Sequence, residues 1–263
     1  MDVRRPAVAG QFYPAEAKTL RQMVLGFLHE ARGVDRDQMP CAIIAPHAGY
    51  IYSGPIAASA YAHIAAGAEK IERVVLLGPA HRAAVRGLAA SSANAFATPL
   101  GEVPVDRDAL EAVVNLPQVH YDDEAHAPEH GLEVHLPFLQ LVLSSFRLAP
   151  LIVGVAEPSD VAQVLQLLLD DGTTLIVVSS DLSHYQSYES ARRLDAATSR
   201  RIGALRDLRM DQACGQYAIN GLLHVARRRG WQAQTVDLRN SGDTSGSKRQ
   251  VVGYGAYVFY NSA

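Results

Sequence analysis

The chain has 263 residues, 48% of them hydrophobic and 19% charged, which is ample material for a full core and is the composition of an ordinary globular protein. Its 24 Lys and Arg against 27 Asp and Glu leave a net charge of −3, which argues against nucleic acid as a partner because such binders usually carry a basic surplus. No stretch reaches the ~18 apolar residues of a membrane span, and MDVRRPAVAGQFYPAEAK at the start lacks the apolar run of a signal peptide, so the expectation is a cytoplasmic protein.

In chain order, residues 15–31 place Leu20, Met23, Val24, Phe27 and Leu28 near helical spacing and predict an amphipathic helix. CAIIAP (41–46) is a short apolar strand, and the Ala-rich PIAASAYAHIAAGA (55–68) is a helix closing at Gly67. RVVLLGP (73–79) is a second buried strand. Residues 87–106 read as shorter strands and turns with a hairpin among them, and 106–116 as a helix. Residues 131–146 are a helix with Pro137 near its first turn, where the missing N–H does no harm. A strand follows at 147–155, a helix at 158–171 and a third buried strand, TTLIVVSSD, at 173–181. Two helices near 188–205 and 210–229 precede closing strands at 232–240 and 251–260.

Strands alternate with helices from end to end, with no long linker or repeat, so 1–263 is expected to form a single α/β domain. The inner strands are continuously apolar, as strands covered on both faces are, whereas the closing strands alternate more and fit antiparallel pairing. The prediction is a three-layer α/β/α architecture with a mixed, largely parallel sheet.

Three of these strands run out into a histidine: His47 after CAIIAP, His81 after RVVLLGPA and His184 after TTLIVVSSDLS. In a parallel sheet the C-terminal strand ends share one edge, where ligands of open α/β sheets bind. Small neighbours at Ala48-Gly49 and Gly78-Pro79-Ala80 let backbone or ligand approach closely. The three histidines are therefore expected together. His29, His63, His120, His126 and His224 have no such setting and read as surface or packing residues.

Asp181 lies three residues before His184 and either caps a helical turn or orients that imidazole. EHGLEVHLPF (129–138) gathers Glu129, His130, Glu133 and His135 where a helix starts. Acidic groups there are ordinary dipole compensation, but Glu133 and His135 sit before an apolar run and are candidates for a site-supporting or substrate-contacting role. NSGDTSGSKRQ (240–250) is turn-like and long for a connector, with Asp243 as a candidate third metal ligand. Cys41 and Cys214 are far apart; both read as packed apolar residues, which argues against a thiolate-rich site. Two histidines and one carboxylate form the facial triad of non-haem Fe(II) sites, and the same ligands also suit zinc.

RRPAVAGQFYP, APHAGYIYSG, LLGPAHR, EHGLEVHLPFL, VSSDLSHY, CGQYAI, NSGDTSG and VGYGAY occur in order along the chain, and together they resemble the Memo family, also called AmmeMemoRadiSam system protein B. That resemblance implies a fold similar to LigB-type class III extradiol dioxygenases. It implies His47 and His81 as metal-site histidines, Asp181 and His184 as pocket residues, and His184 as the acid/base group. At the third ligand position the animal protein has a cysteine, whereas this chain has Asp243 or Thr244. The implied functions are a dioxygenase-like oxidoreductase using Fe(II), with copper or zinc as other metals, an adaptor that binds a peptide or anion without chemistry, or a zinc hydrolase. The ligand is an unidentified small molecule or peptide, and the family name links it to AMMECR-type and radical SAM proteins.

Overall fold

The computed structural model describes residues 3–31, 38–169 and 172–262. In chain order the elements are β1 (Val3–Arg4), α1 (Ala17–Glu30), β2 (Ala42–Ala45), α2 (Tyr50–Tyr61), β3 (Arg73–Pro79), β4 (Leu88–Ala90), β5 (Ala95–Thr98), β6 (Gly101–Pro104), α3 (Arg107–Val114) and β7 (Val119–Tyr121). There follow α4 (Asp123–His126), α5 (Leu136–Val142), β8 (Arg147–Val153), α6 (Pro158–Leu168), β9 (Thr174–Ser179), α7 (Tyr188–Gly203), α8 (Gln216–Arg229), β10 (Gln232–Asn240), α9 (Ser241–Thr244) and β11 (Gly253–Tyr260).

Eight strands form one mixed sheet in the order β10-β11-β2-β9-β3-β8-β4-β7, and β1, β5 and β6 form a small second sheet. β2, β9, β3 and β8 are parallel neighbours, while β10, β11 and β2 pair antiparallel. β2 and β9 are buried along their whole lengths, and β3 and β8 everywhere but their first residues, which explains their unbroken apolar sequences. Helices flank the sheet: α2 packs on β2, β10 and β11 with α1 and α5 beside it, and α8 packs on β3 and β9 with α6 beside it.

The predicted hairpin is β5–β6, and the closing strands pair antiparallel as expected. Several elements depart from the sequence reading, among them α8, which begins at Gln216 rather than near 210. α2 begins at Tyr50, with Gly49 as its cap and Pro55 inside it, rather than at Pro55. Gly54 is the reason the helix runs close to α1, since a Cβ there would lie 2.5 Å from the Phe27 ring. The helix predicted over 131–146 is a 3₁₀ turn (Glu133–His135) leading into the shorter α5. The last two residues predicted for the helix at 158–171 lie outside the described residues, and α6 ends at Leu168. β1, β7, α4 and α9 are too short to leave a periodic signal. Among the described residues no helix is long and apolar enough to cross a membrane.

Candidate metal centre

β2, β9 and β3 lie side by side and parallel, so their C-terminal ends open on one edge. His47 and His81 each follow their strand by two residues, and Ser179 ends the strand between them. The rings of His47 and His81 meet edge to face with centroids 4.9 Å apart. His130, from the segment before α5, completes a cluster, 4.6 Å from His81 and 5.5 Å from His47. Gly131 makes the cluster possible: a Cβ there would stand 3.1 Å from Glu129 Oε1, 3.5 Å from the His81 ring and 3.6 Å from the His47 ring.

The hydrogen bonds fix which nitrogen of each imidazole is free. Ser179 donates its single hydroxyl proton to the carbonyl of Gly131, and the same oxygen lies 2.6 Å from His47 Nδ1. With its proton spent, Ser179 can only accept, so Nδ1 carries the hydrogen and Nε2 keeps its lone pair. His81 is set by a carboxylate: Nδ1–H donates to Glu129 Oε1 at 2.8 Å, and Glu129 also accepts from the His81 and Gly131 backbone N–H groups. Burial works to raise the Glu129 pKa, but the hydrogen bonds outweigh it and hold the carboxyl below its ordinary value. A carboxylate that fixes the tautomer of a metal histidine is a recurrent support of metal sites.

A thiol joins the two bare nitrogens. Cys214 lies in the turn before α8, and its Sγ is 3.3 Å from His47 Nε2. One donor atom each from His47, His81 and Cys214 falls within 4.8 Å of the others, close enough for all three to bind one ion. The turn is held by the Asp181 N–H donating to Sγ at 3.2 Å and the Gly215 N–H donating to Ser180 Oγ at 2.9 Å. Only glycine fits at 215, since a Cβ there would be 2.6 Å from the Ser179 carbonyl. Burial first, then the neighbouring Asp181, pushes the Cys214 thiol up to about 12, so without a cation it stays protonated; a metal would take the proton's place. Burial, and then the surrounding histidines, keep His47 neutral, and burial holds His130 down at about 4. His81, Glu129 and His130 form a second group of similar spacing, but Glu129 already spends its oxygens on His81 and Gly131.

Beside this group opens a cavity of about 600 Å³. Phe12, Tyr52, Tyr185 and Tyr254 join His47, His81, His130 and His184 in its walls, with Gln11, Ser241, Ser247 and Gln250 as polar lining, and among the described residues no arginine or lysine lines it. His184 Nδ1–H donates to the Leu182 carbonyl at 2.9 Å, which leaves Nε2 as the nitrogen it offers, and burial lowers its pKa.

The residues expected from the sequence divide as follows. His47, His81, His184 and Asp181 all border the cavity. Asp181 neither caps a turn nor orients His184: its Oδ1 accepts the His47 backbone N–H at 2.9 Å, and burial raises its pKa to about 7. Asp243 is not brought to the cluster. Its carboxylate closes a capping box at α9, accepting the Asn240 N–H at 2.9 Å, and takes the Tyr188 hydroxyl at 2.6 Å. Thr244 bonds back to the Ser241 carbonyl. Glu133 is wholly buried under the N-terminal segment, where it meets Arg4 and accepts from the Ala7 and Val8 N–H groups and the Tyr13 hydroxyl. His135 is also buried, with Nδ1 on the Tyr61 hydroxyl, and does not line the cavity. The sequence reading noted Glu129 and His130 in the 129–138 cluster without assigning them to the site, took Cys214 for a packed residue, and did not single out Ser179. Two of these carried a visible signal, since His130-Gly131 and Cys214-Gly215 repeat the pairing of a ligating side chain with a small neighbour.

The fold and this cluster define an α/β protein with a His/Cys group suited to a metal at the C-terminal edge of a largely parallel sheet. The family model for Memo-like protein matches residues 4–258. MEMO1 family proteins of Methanopyrus kandleri and Aquifex aeolicus are both 36% identical, covering 97% and 98% of this chain and 98% and 100% of their own. One from Aeropyrum pernix is 37% identical over 97% of this chain and 99% of its own. The chain belongs to the Memo-like family.

Proposed function

We propose that the protein is a metal-dependent oxidoreductase, dioxygenase-like in its reaction, that acts on a small chelating substrate in the aromatic cavity. The observation that carries the metal is that His47 and His81, each with Nδ1 fixed by a partner, bring donor atoms within 4.8 Å of one another and of the Cys214 thiol. Two imidazoles and a sulfur suit iron, copper or zinc and do not suit magnesium or calcium. With Cys214 in the place expected of a carboxylate, Fe(II) remains the reading for the redox reaction, with copper next. A bound transition metal would supply Lewis acidity and a route for electrons.

The protein's own groups would do the rest. His184, neutral near pH 7 and with Nε2 unspent, accepts a proton from a substrate hydroxyl. The aromatic residues of the walls offer faces on which a flat ligand can pack. Phosphopeptide or other anion capture draws on arginine clusters, and this cavity has none among its described lining residues, so the adaptor reading finds less support.

The test is metal content by mass spectrometry on anaerobically purified protein, wild type beside His47→Ala, His81→Ala and Cys214→Ser. Near-stoichiometric iron or copper, lost in all three variants, is the expected result, and oxygen uptake with catechols would follow. Zinc alone would move the reading to hydrolysis. Failure to hold any metal under any loading condition would refute it.

A further inference from the structure

Tyr185 combines three features that ordinary folding does not favour in one residue. Its φ is +56°, a left-handed conformation that L-residues with bulky side chains rarely take. The residue is 71% exposed, although it is a large aromatic. It also lines the cavity, next in sequence to His184, whose ring it meets edge-on with centroids 5.9 Å apart.

The surrounding chain enforces this conformation. Leu182 N–H donates to the Gly253 carbonyl, Gly253 N–H to the Ser183 carbonyl and Val251 N–H to the Gln186 carbonyl, each at 2.8 Å. Buried Asp195 takes the Ser183 N–H at 3.0 Å. The segment is thus pinned on both sides of Tyr185, to the entry of β11 and to α7. A residue held in a costly conformation persists only where its surroundings over-determine it, and such residues gather at functional sites. Here the pinned backbone presents an exposed aromatic side chain to a cavity that has other aromatic residues in its walls and no cation among the described lining residues.

We propose that Tyr185 is the specificity-determining residue of the cavity, a pre-set platform on which a planar, ring-bearing ligand stacks while its polar end reaches the metal group. The inference rests on the metal-site reading above and goes beyond it in assigning the ligand's shape preference to one side chain. Stacking of this kind contributes ~2–10-fold in affinity for a ring-bearing ligand and nothing for a chelator without a ring.

The experiment compares two probes on zinc-loaded protein, which undergoes no redox chemistry: 4-nitrocatechol, followed by its absorbance shift, and acetohydroxamate, a chelator with no ring. Tyr185→Phe should bind both as wild type does. Tyr185→Gly, which relieves the left-handed strain, should melt no lower than wild type and hold zinc equally. It should bind 4-nitrocatechol ~2–10-fold more weakly, with acetohydroxamate unchanged. Equal 4-nitrocatechol affinity in wild type and Tyr185→Gly would overturn the assignment while leaving the metal site standing, as would a parallel loss for both probes. Zinc-loaded wild type that binds neither probe would overturn the cavity reading and this inference with it.

Discussion

Glu129→Gln tests the core of the metal-site argument with a nearly isosteric change. The carboxylate accepts three hydrogen bonds: Oε1 from His81 Nδ1–H and the Gly131 N–H, and Oε2 from the His81 N–H, all at 2.8 Å. Glutamine keeps one oxygen and puts an NH₂ where the other stood. If the NH₂ faces the His81 backbone, two donors oppose each other and a buried bond is lost, at ~1–3 kcal/mol of stability. If it faces the imidazole, Nδ1 must become the acceptor, and the proton moves to Nε2, which then cannot bind a metal. In that second orientation the expected loss of metal affinity is ~10–100-fold, about 1.4–2.7 kcal/mol, and in the first it is the melt that falls. Zinc affinity at pH 7, measured by competition with a chromophoric chelator alongside a thermal melt, decides it. Unchanged affinity together with an unchanged melt would refute the claim that Glu129 sets the His81 tautomer, since each orientation of the amide costs one or the other.

Other substitutions separate the roles assigned here. Cys214→Ser should lower zinc affinity at least tenfold, whereas Asp243→Ala should leave it unchanged and cost ~0.5–2 kcal/mol in stability as the α9 cap is lost; parallel zinc titrations and urea melts read both. Arg4→Leu strands the buried Glu133 carboxylate without its cation and should destabilise by ~3–5 kcal/mol in urea, and a loss under 1 kcal/mol would show the backbone donors at Glu133 to suffice. Burial holds His126 at about 4, so between pH ~6.5 and ~4 the unfolded chain binds a proton that the folded chain refuses. Its contribution is therefore complete above pH ~6.5 and fades on acidification, and the stability of His126→Gln should fall less steeply there than wild type, by up to ~1.4 kcal/mol per pH unit. Identical slopes in urea titrations at stepped pH would count against it.

The inner sheet was legible because β2, β3, β8 and β9 are buried on both faces and must be apolar throughout. The edge that gathers His47 and His81 followed from parallel pairing alone. The ligand set was less so. Cys214 reaches the site through the packing of α8 on β3 and β9, a tertiary relation with no local pattern, and its place inside the helix predicted near 210–229 made it look like a packed residue. Asp243 misled for the opposite reason: carboxylates in turns are conspicuous, and the spacing from Asn240 to Asp243 that marks a capping box went unread. Glu133 and His135 were noticed as polar groups in an apolar run, but their partners, Arg4, Tyr13 and Tyr61, are distant in sequence.

The place of β11 in the sheet has a consequence for how the protein is made. Ile43, at the centre of β2, is flanked by Val177 on one side and by Val258 on the other. The strand that carries the first histidine is thus among the earliest synthesised and among the last to find its neighbours. At ~5–20 residues per second it waits on the order of ten seconds or more for the rest of the chain. The edge of β2 that precedes His47 gains its second neighbour only once β11 has been made, so deleting β11 should lower stability and, with it, any metal affinity of the cluster, as a thermal melt and a zinc titration would read.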